Sequence, residues 1–291
     1  MKIQILSNKL FKEFTKIIYN ETGIFYKDSK KLLLSNRIRN RLKELKLETF
    51  EEYYIYLKKN YNIEIKKLLN VVTTNETNFF RHNKQFEVLK SIFIEELINK
   101  GKKKYFIWSA GCSSGEEPYS IAIILNETIP DIDSYNIKIL GTDISNYMLE
   151  KGKAGIYTEK SLNNVPEHII KKYFKKIIIN NVNHYEINLK IKKFVEFKYL
   201  NLYRDIFPLE VDMILCRNVL IYFPKEVQKM VVDKFYNSLN KDGYFLIGAS
   251  EILLYAYDKF IPVKYNNKTT IYKPKIFTNE KIFFNDNKIA E

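Results

Sequence analysis

Residues 105–125 pass from an apolar run into a glycine turn and then into an amphipathic segment. Few folds accommodate that order. Tyr105 to Trp108 read as a buried strand. Gly111 and Gly115 punctuate the stretch Ser109-Ala110-Gly111-Cys112-Ser113-Ser114-Gly115-Glu116-Glu117. Ile121, Ile124 and Leu125 then recur at helical spacing. In a strand–turn–helix unit of this kind, glycines let the backbone approach a ligand closely. The helix N-terminus adds unpaired N–H groups. A phosphate-binding loop wants a lysine or a bare amide cradle. This loop carries Glu116 and Glu117 instead, which repel pyrophosphate and suit a ligand with hydroxyls or a positive charge. A lone glycine pair also fits an ordinary tight turn.

The same alternation continues downstream. Strands are expected at 137–142, 211–216 and after Gly243, with helices to about 127, from about Asn146 and at 225–239. Another helix (Phe86, Leu89, Ile92, Phe93, Leu97) precedes the first strand. This is an α/β pattern with a mostly parallel, Rossmann-like sheet and helices on both faces. Ligands in such sheets sit at the carboxyl ends of the strands. Residues 176–200 break the rhythm. Ile177 to Ile179 and Tyr185, Ile187 and Leu189 suggest a hairpin, and Phe194, Val195 and Phe197 a third strand, as a small β insertion.

Upstream, apolar residues recur only at helical spacing: Leu10, Phe11, Phe14, Ile17 and Ile18; Leu34, Ile38, Leu42 and Leu45; Phe50, Tyr53, Tyr54 and Leu57; Ile65, Leu68, Leu69 and Val72. Thr49 with Glu52 reads as a capping box. The expected organisation is an all-helical domain over 1–72, the α/β domain over 73–275 and a loosely ordered tail over 276–291.

A chain of 291 residues, 46% of them apolar, holds one α/β domain and a smaller module. No stretch is long and apolar enough to span a membrane, and the first residues do not form a signal peptide. Cys112 and Cys216 form no metal spacing, which fits a reducing cytoplasm. The net charge of +14 suits an acidic partner, whether nucleic acid, anionic lipid or protein. Abundant Lys, Asn, Ile and Tyr beside scarce Ala and Gly also fit a codon bias, so charge alone decides nothing.

The second strand ends in Thr142-Asp143. An acidic residue there suits ribose hydroxyls, because a carboxylate accepts from both. Asp143 also fits a cap on the helix near Ser145. With the glycine loop one strand earlier, ribose binding is the better reading. The dinucleotide pattern is GxGxxG. The spacing here, with two glutamates, favours S-adenosylmethionine. Three more polar segments fall at strand ends or domain entry: 74–81 (Thr-Asn-Glu-Thr-Asn-Phe-Phe-Arg), Asn201-Leu202, and Cys216-Arg217-Asn218 leading to Tyr222-Phe223-Pro224.

In order and spacing, TTNETNFFR, WSAGCSSGEEPYS, GTDIS, the β insertion, CRNVLIYF and DGYFLIGASE resemble the CheR-type chemotaxis receptor methyltransferases across nearly the whole chain. That family methylates glutamate side chains of methyl-accepting chemoreceptors. The resemblance implies S-adenosylmethionine as cofactor, S-adenosylhomocysteine as product and no metal. It places Asn75, Thr77, Arg81, Gly111, Glu117, Asp143, Asn201, Leu202, Arg217 and Asn218 around the cofactor. It also implies a cytoplasmic monomer recruited to receptor arrays, with the receptors' helical bundle as partner, no nucleic acid and no membrane insertion. The family's β insertion can dock a receptor C-terminal peptide. The hairpin tip here, Asn180 to His184, lacks the glycines associated with that docking and leaves it open.

A glutamate nucleophile is already ionised at neutral pH, its reference pKa being about 4.3, so no general base is needed and neither cysteine need act. Placement matters most. Arg81 is expected to hold one carboxylate oxygen and Tyr222 to orient the other; the alternative for Arg81 is an ion pair with Glu87. His82, His168 and His184 read as surface residues. Arg37 and Arg41, four apart on one helix, form a basic stripe expected to read an acidic receptor helix. Two rival functions remain: a nucleic-acid methyltransferase, against which no Asn/Asp-Pro-Pro-Tyr or Pro-Cys segment is found, and a non-catalytic S-adenosylmethionine-sensing protein.

Overall fold

The computed structural model describes residues 5–253, 258–265 and 269–276. The expected tail, from Phe277 onward, lies outside them. Helices α1 (Asn8–Thr22), α2 (Lys31–Leu45), α3 (Phe50–Lys59) and α4 (Tyr61–Val72) build the N-terminal part. Their ends follow from local chemistry. The Ser7 hydroxyl accepts from Leu10 N at 3.2 Å to open α1, and Gly23, at φ 72°, closes it. Thr49 and Glu52 form the reciprocal capping box of α3. The helical stripes converge: Phe14, Ile18, Leu34, Ile38, Tyr53, Leu57 and Leu68 are fully buried together.

The second part opens with α5 (Asn83–Phe93), which runs on as a π-helical stretch, Ile94–Asn99. Then follow β1 (Lys104–Ala110), α6 (Glu116–Thr128), β2 (Asn136–Asp143), α7 (Asn146–Ala154), β3 (Ile156–Thr158), α8 (Glu167–Tyr173), β4 (Phe174–Ile179), β5 (Val182–Ile187), α9 (Leu189–Lys192) and β6 (Val195–Tyr199). Strand β7 (Val211–Cys216), α10 (Lys225–Ser238), β8 (Leu239–Ile247), β9 (Phe260–Tyr265) and β10 (Thr269–Pro274) complete the described chain. The main sheet has seven strands in the order β6-β2-β1-β7-β8-β10-β9. It is parallel from β6 to β8, while β10 runs antiparallel to both β8 and β9. Strand order reverses direction at β1, which lies between β2 and β7. The carboxyl ends there open a crevice of the kind that holds ligands in doubly wound sheets. No helix among the described residues is long and apolar enough to cross a membrane.

The β insertion differs from expectation. Its third strand is not 194–197. Val195–Tyr199 pairs in parallel with Ile139 to Asp143 and forms the edge of the main sheet. The small sheet is β3-β5-β4, with Ile156 to Thr158 against His184 to Glu186, and Leu189 falls in α9. Packing explains the exchange. The Phe197 ring fills a slot lined by Gly115, Gly141 and Gly152, where an added Cβ would come within 2.6, 3.0 and 2.8 Å of it. That slot belongs to β2, α7 and the glycine loop. The hairpin itself turns on Asn180 and Asn181, both at positive φ, as a two-residue turn requires.

Candidate active site

The glycine loop and the end of β2 are built as one piece. Both Gly111 N and Cys112 N donate to Thr142 O, at 2.8 and 2.9 Å. Gly111 has φ 80°, and a Cβ there would lie 2.5 Å from Val219 Cγ2. Asp143 is 8% exposed. Its Oδ2 accepts from Ser113 N and its Oδ1 from Ser145 N, each at 2.8 Å. Ser145, not Asp143, caps α7: its hydroxyl accepts from Met148 N. Burial pushes the Asp143 carboxyl above its ordinary pKa, and the N–H donors of Ser145 and Ser113 pull it partly back. Each oxygen keeps acceptor capacity toward the cleft.

The two loop glutamates diverge. Glu117 lines the cleft, accepting from the Ser109 hydroxyl at 2.7 Å and from Arg217 Nη1 at 2.8 Å. Glu116 turns inward, 3% exposed, and accepts from the Ser114 hydroxyl at 2.7 Å. Its carboxyl is pushed up to about 7, mainly by burial. Arg217 also donates from Nε to Gln85 Oε1 at 2.7 Å and from Nη2 to Arg81 O, and lies over the Phe86 ring. Its charge is therefore fully engaged within the wall of the cleft.

Facing this wall is the segment joining the two parts. Its backbone is held at several points. Val72 O accepts from the Tyr26 hydroxyl and Arg37 Nη1, and the Thr74 hydroxyl from Arg37 Nη2. Asn75 O accepts from the Ser113 hydroxyl at 2.9 Å, and Phe80 N donates to the Ser120 hydroxyl at 3.0 Å. Phe79 is buried edge-on against Tyr157 and Phe174. Phe80 and His82 take positive φ. Between these anchors Asn75, Thr77, Asn78 and Arg81 line the cleft. Among the described residues the first three make no side-chain hydrogen bond. Among the same residues Arg81 donates only to Glu76 O, at 2.9 Å, and pairs with no carboxylate, Glu87 included.

The third side comes from the ends of β6 and β7. Asn201 lines the cleft, but its amide is engaged: Nδ2 donates to Glu21 O at 2.7 Å and Oδ1 accepts from Tyr203 N. Leu202, largely buried, lines the cleft beside Asn201. Asn218, at φ 59°, donates its N–H to Glu251 Oε2, which also accepts from Gly248 N. Tyr222 lines the cleft, half-buried, with no side-chain hydrogen bond among the described residues. Reading the sequence missed Glu251, although it stands in the quoted GASE segment. It missed Val219 too, whose only signal is its place beside Asn218.

The structure thus gathers into one cleft every residue expected around a cofactor, together with Tyr222. It does not place Arg37 and Arg41 on an outer stripe. Arg41 binds Glu64 through Nε and Nη2, both at 2.7 Å, and Tyr53 donates to the same carboxylate. Glu64 is 1% exposed, and a charge buried that deeply demands a partner. Arg37 clasps the linker. Both arginines do share a face of α2, but that face turns to α4 and the linker rather than to solvent. Burial holds the Cys112 and Cys216 thiols well above their ordinary pKa, so neither is a thiolate. His82 and His168 are exposed and His184 half-buried in β5. No group of three or more His, Cys, Asp or Glu among the described residues is arranged to hold a metal.

Residues 75–269 match the family model described as CheR methyltransferase, SAM binding domain, and residues 9–73 match CheR methyltransferase, all-alpha domain. The chain belongs to the CheR methyltransferase family. It is 38% identical over 261 residues to a chemotaxis protein methyltransferase of Borreliella burgdorferi, covering 87% of this chain and 91% of that one. Chemotaxis protein methyltransferase 2 of Vibrio cholerae is 32% identical over 275 residues, covering 93% and 94%. The Escherichia coli chemotaxis protein methyltransferase is 32% identical over 249 residues, covering 84% and 85%. As a CheR-family protein, the chain is an S-adenosylmethionine-dependent methyltransferase, and the cleft lies within the part that matches the SAM-binding model.

Proposed function

We propose that this CheR-family protein transfers the methyl group of S-adenosylmethionine to glutamate carboxylates of chemoreceptors, forming methyl esters. The observation that carries the reading is the contrast between two arginines in one cleft. Arg217 is neutralised by Glu117, whereas Arg81 has no carboxylate partner among the described residues. An unpaired guanidinium in a cleft suits an incoming carboxylate.

The residues present fit the cofactor. Asp143 keeps acceptor capacity after its two N–H bonds, and Asn75, Thr77 and Asn78 offer unengaged polar groups. Bound here, S-adenosylmethionine would supply an electrophilic methyl group on a sulfonium. Asp143 would accept from ribose hydroxyls. Arg81 would hold one oxygen of the substrate carboxylate, and the Tyr222 hydroxyl would orient the other. The Arg217–Glu117 pair would keep the wall fixed while the linker segment excludes water. No side chain need remove a proton, since a glutamate is ionised at neutral pH. Positioning is what the chain contributes.

The test uses labelled S-adenosylmethionine with either a chemoreceptor cytoplasmic fragment or RNA, followed by mild base. Label on the fragment, released as methanol, is expected. Label on RNA, or label that survives base, overturns the reading.

A further inference from the structure

Arg37 and Arg41 are engaged inside the helical domain and are not free to pair with an acidic substrate. Another surface is better placed. Phe25 is 55% exposed and Ile221 56% exposed. Phe25 N donates to Tyr222 O at 3.0 Å, which brings the two side chains onto one rim. The residues flanking them, Ile24, Tyr26 and Tyr222, line the cleft itself. Exposed apolar side chains gathered beside a cleft mark an interaction site more often than scattered ones do. Lys27 and Lys225, just beyond each, are exposed and make no ion pair among the described residues. The rim is therefore apolar at its centre and positive at its ends, with unpaired Arg81 inside the cleft.

Such a rim complements an amphipathic acidic helix. On a helix, a side chain three or four positions from a glutamate lies only about 5–6 Å away, so an apolar residue and a reactive carboxylate share one face. We propose that Phe25 and Ile221 receive the apolar residue one turn from the substrate glutamate, and that Lys27 and Lys225 face carboxylates flanking it. This rests on the receptor-glutamate reading. The apolar contact would fix the height of the helix over the cleft, and the lysines its direction. Arg81 and Tyr222 would then meet one carboxylate.

The test is steady-state methylation of a chemoreceptor cytoplasmic fragment by the wild type, by Phe25→Ser, and by the double variant Lys27→Glu with Lys225→Glu. Cofactor affinity is measured on each by calorimetry. Phe25→Ser and the charge reversal are each expected to raise KM for the fragment roughly tenfold, equivalent to about 1.4 kcal/mol, at unchanged cofactor affinity. Added salt should raise the wild-type KM but not that of the charge reversal. Should the wild type methylate the fragment while both variants keep its KM, the rim is overturned and the receptor reading stands. Should the wild type fail to methylate it at all, the receptor reading fails, and the rim with it.

Discussion

The two faces of the cleft are made differently. On the sheet side, the side chains of Glu117, Arg217 and Asn201 are each tied to other parts of the protein, so their geometry exists before any ligand arrives. On the linker side the ties run mostly through the backbone, while Asn75, Thr77 and Asn78 make no side-chain hydrogen bond among the described residues and Arg81 has no carboxylate partner among them. One face supplies rigidity and the other supplies open valence. The difference shows that a residue's presence in a cleft says little about its role until its partners are counted. Arg217 and Arg81 have identical side chains, yet the first is bound into the wall and the second has no carboxylate partner among the described residues.

The largest effect should come from breaking the sheet side. Arg217→Ala leaves the half-buried Glu117 without its cation and frees Gln85 and Arg81 O, so stability should fall by about 3 kcal/mol in urea denaturation. A midpoint close to wild type would mean that the wall is not locked by this pair. On the linker side the outcome should reverse. Arg81→Ala should cut turnover about 100-fold at saturating cofactor, with stability changed by no more than about 0.5 kcal/mol. Tyr222→Phe should reduce turnover less. If Arg81→Ala instead unfolds like Arg217→Ala, the two faces are not different in kind.

The smallest effect lies within the wall itself, where Glu116 is buried without the cation that Glu117 enjoys. Its folded pKa, about 7, stands above the ordinary carboxylate value, so the native state retains a proton that the unfolded chain has released. Stability contributed by that proton is present at low pH and is lost as pH rises toward 7. Glu116→Gln should therefore gain on the wild type with increasing pH, by about 2 kcal/mol between pH 5 and 8. Parallel melting curves for the two proteins across that range would show that Glu116 is ionised at no cost.

What was legible in the sequence was whatever local pattern controls. The stripes of α1 to α4, the capping box and the strands leading into the glycine loop and Asp143 follow from periodicity and turn chemistry. Asp143, Asn201 and Arg217 sit at strand ends, where parallel sheets put ligands, whereas Asn75, Thr77 and Arg81 precede the first helix of the α/β part and are expected in the cleft only from the family resemblance. Pairing was not legible. Val195 to Tyr199 has the composition of an insertion strand, and only the glycine slot around Phe197 sends it to the main sheet. Ile156 to Thr158 is too short to show alternation. Strands β9 and β10 were not read at all. Nor does a sequence reveal which way a basic face points: Arg41 turns inward because Glu64, on another helix, needs it. Glu251 acts through Asn218 N and Gly248 N, a role that leaves no periodic trace.

The slot around Phe197 also bears on how such a chain can vary. Gly141 and Gly152 come from β2 and the helix that follows it, yet one ring from the distant strand β6 denies a side chain to both. Neither glycine can drift to alanine alone without a clash. A smaller residue at 197 would release Gly152 and relieve Gly141, where Cys112 Sγ would still lie 3.1 Å from an added Cβ, at the cost of a void. The three sites should therefore behave as a single heritable unit: in a library randomising them together, Gly141→Ala or Gly152→Ala should survive selection mainly beside a shrunken residue 197.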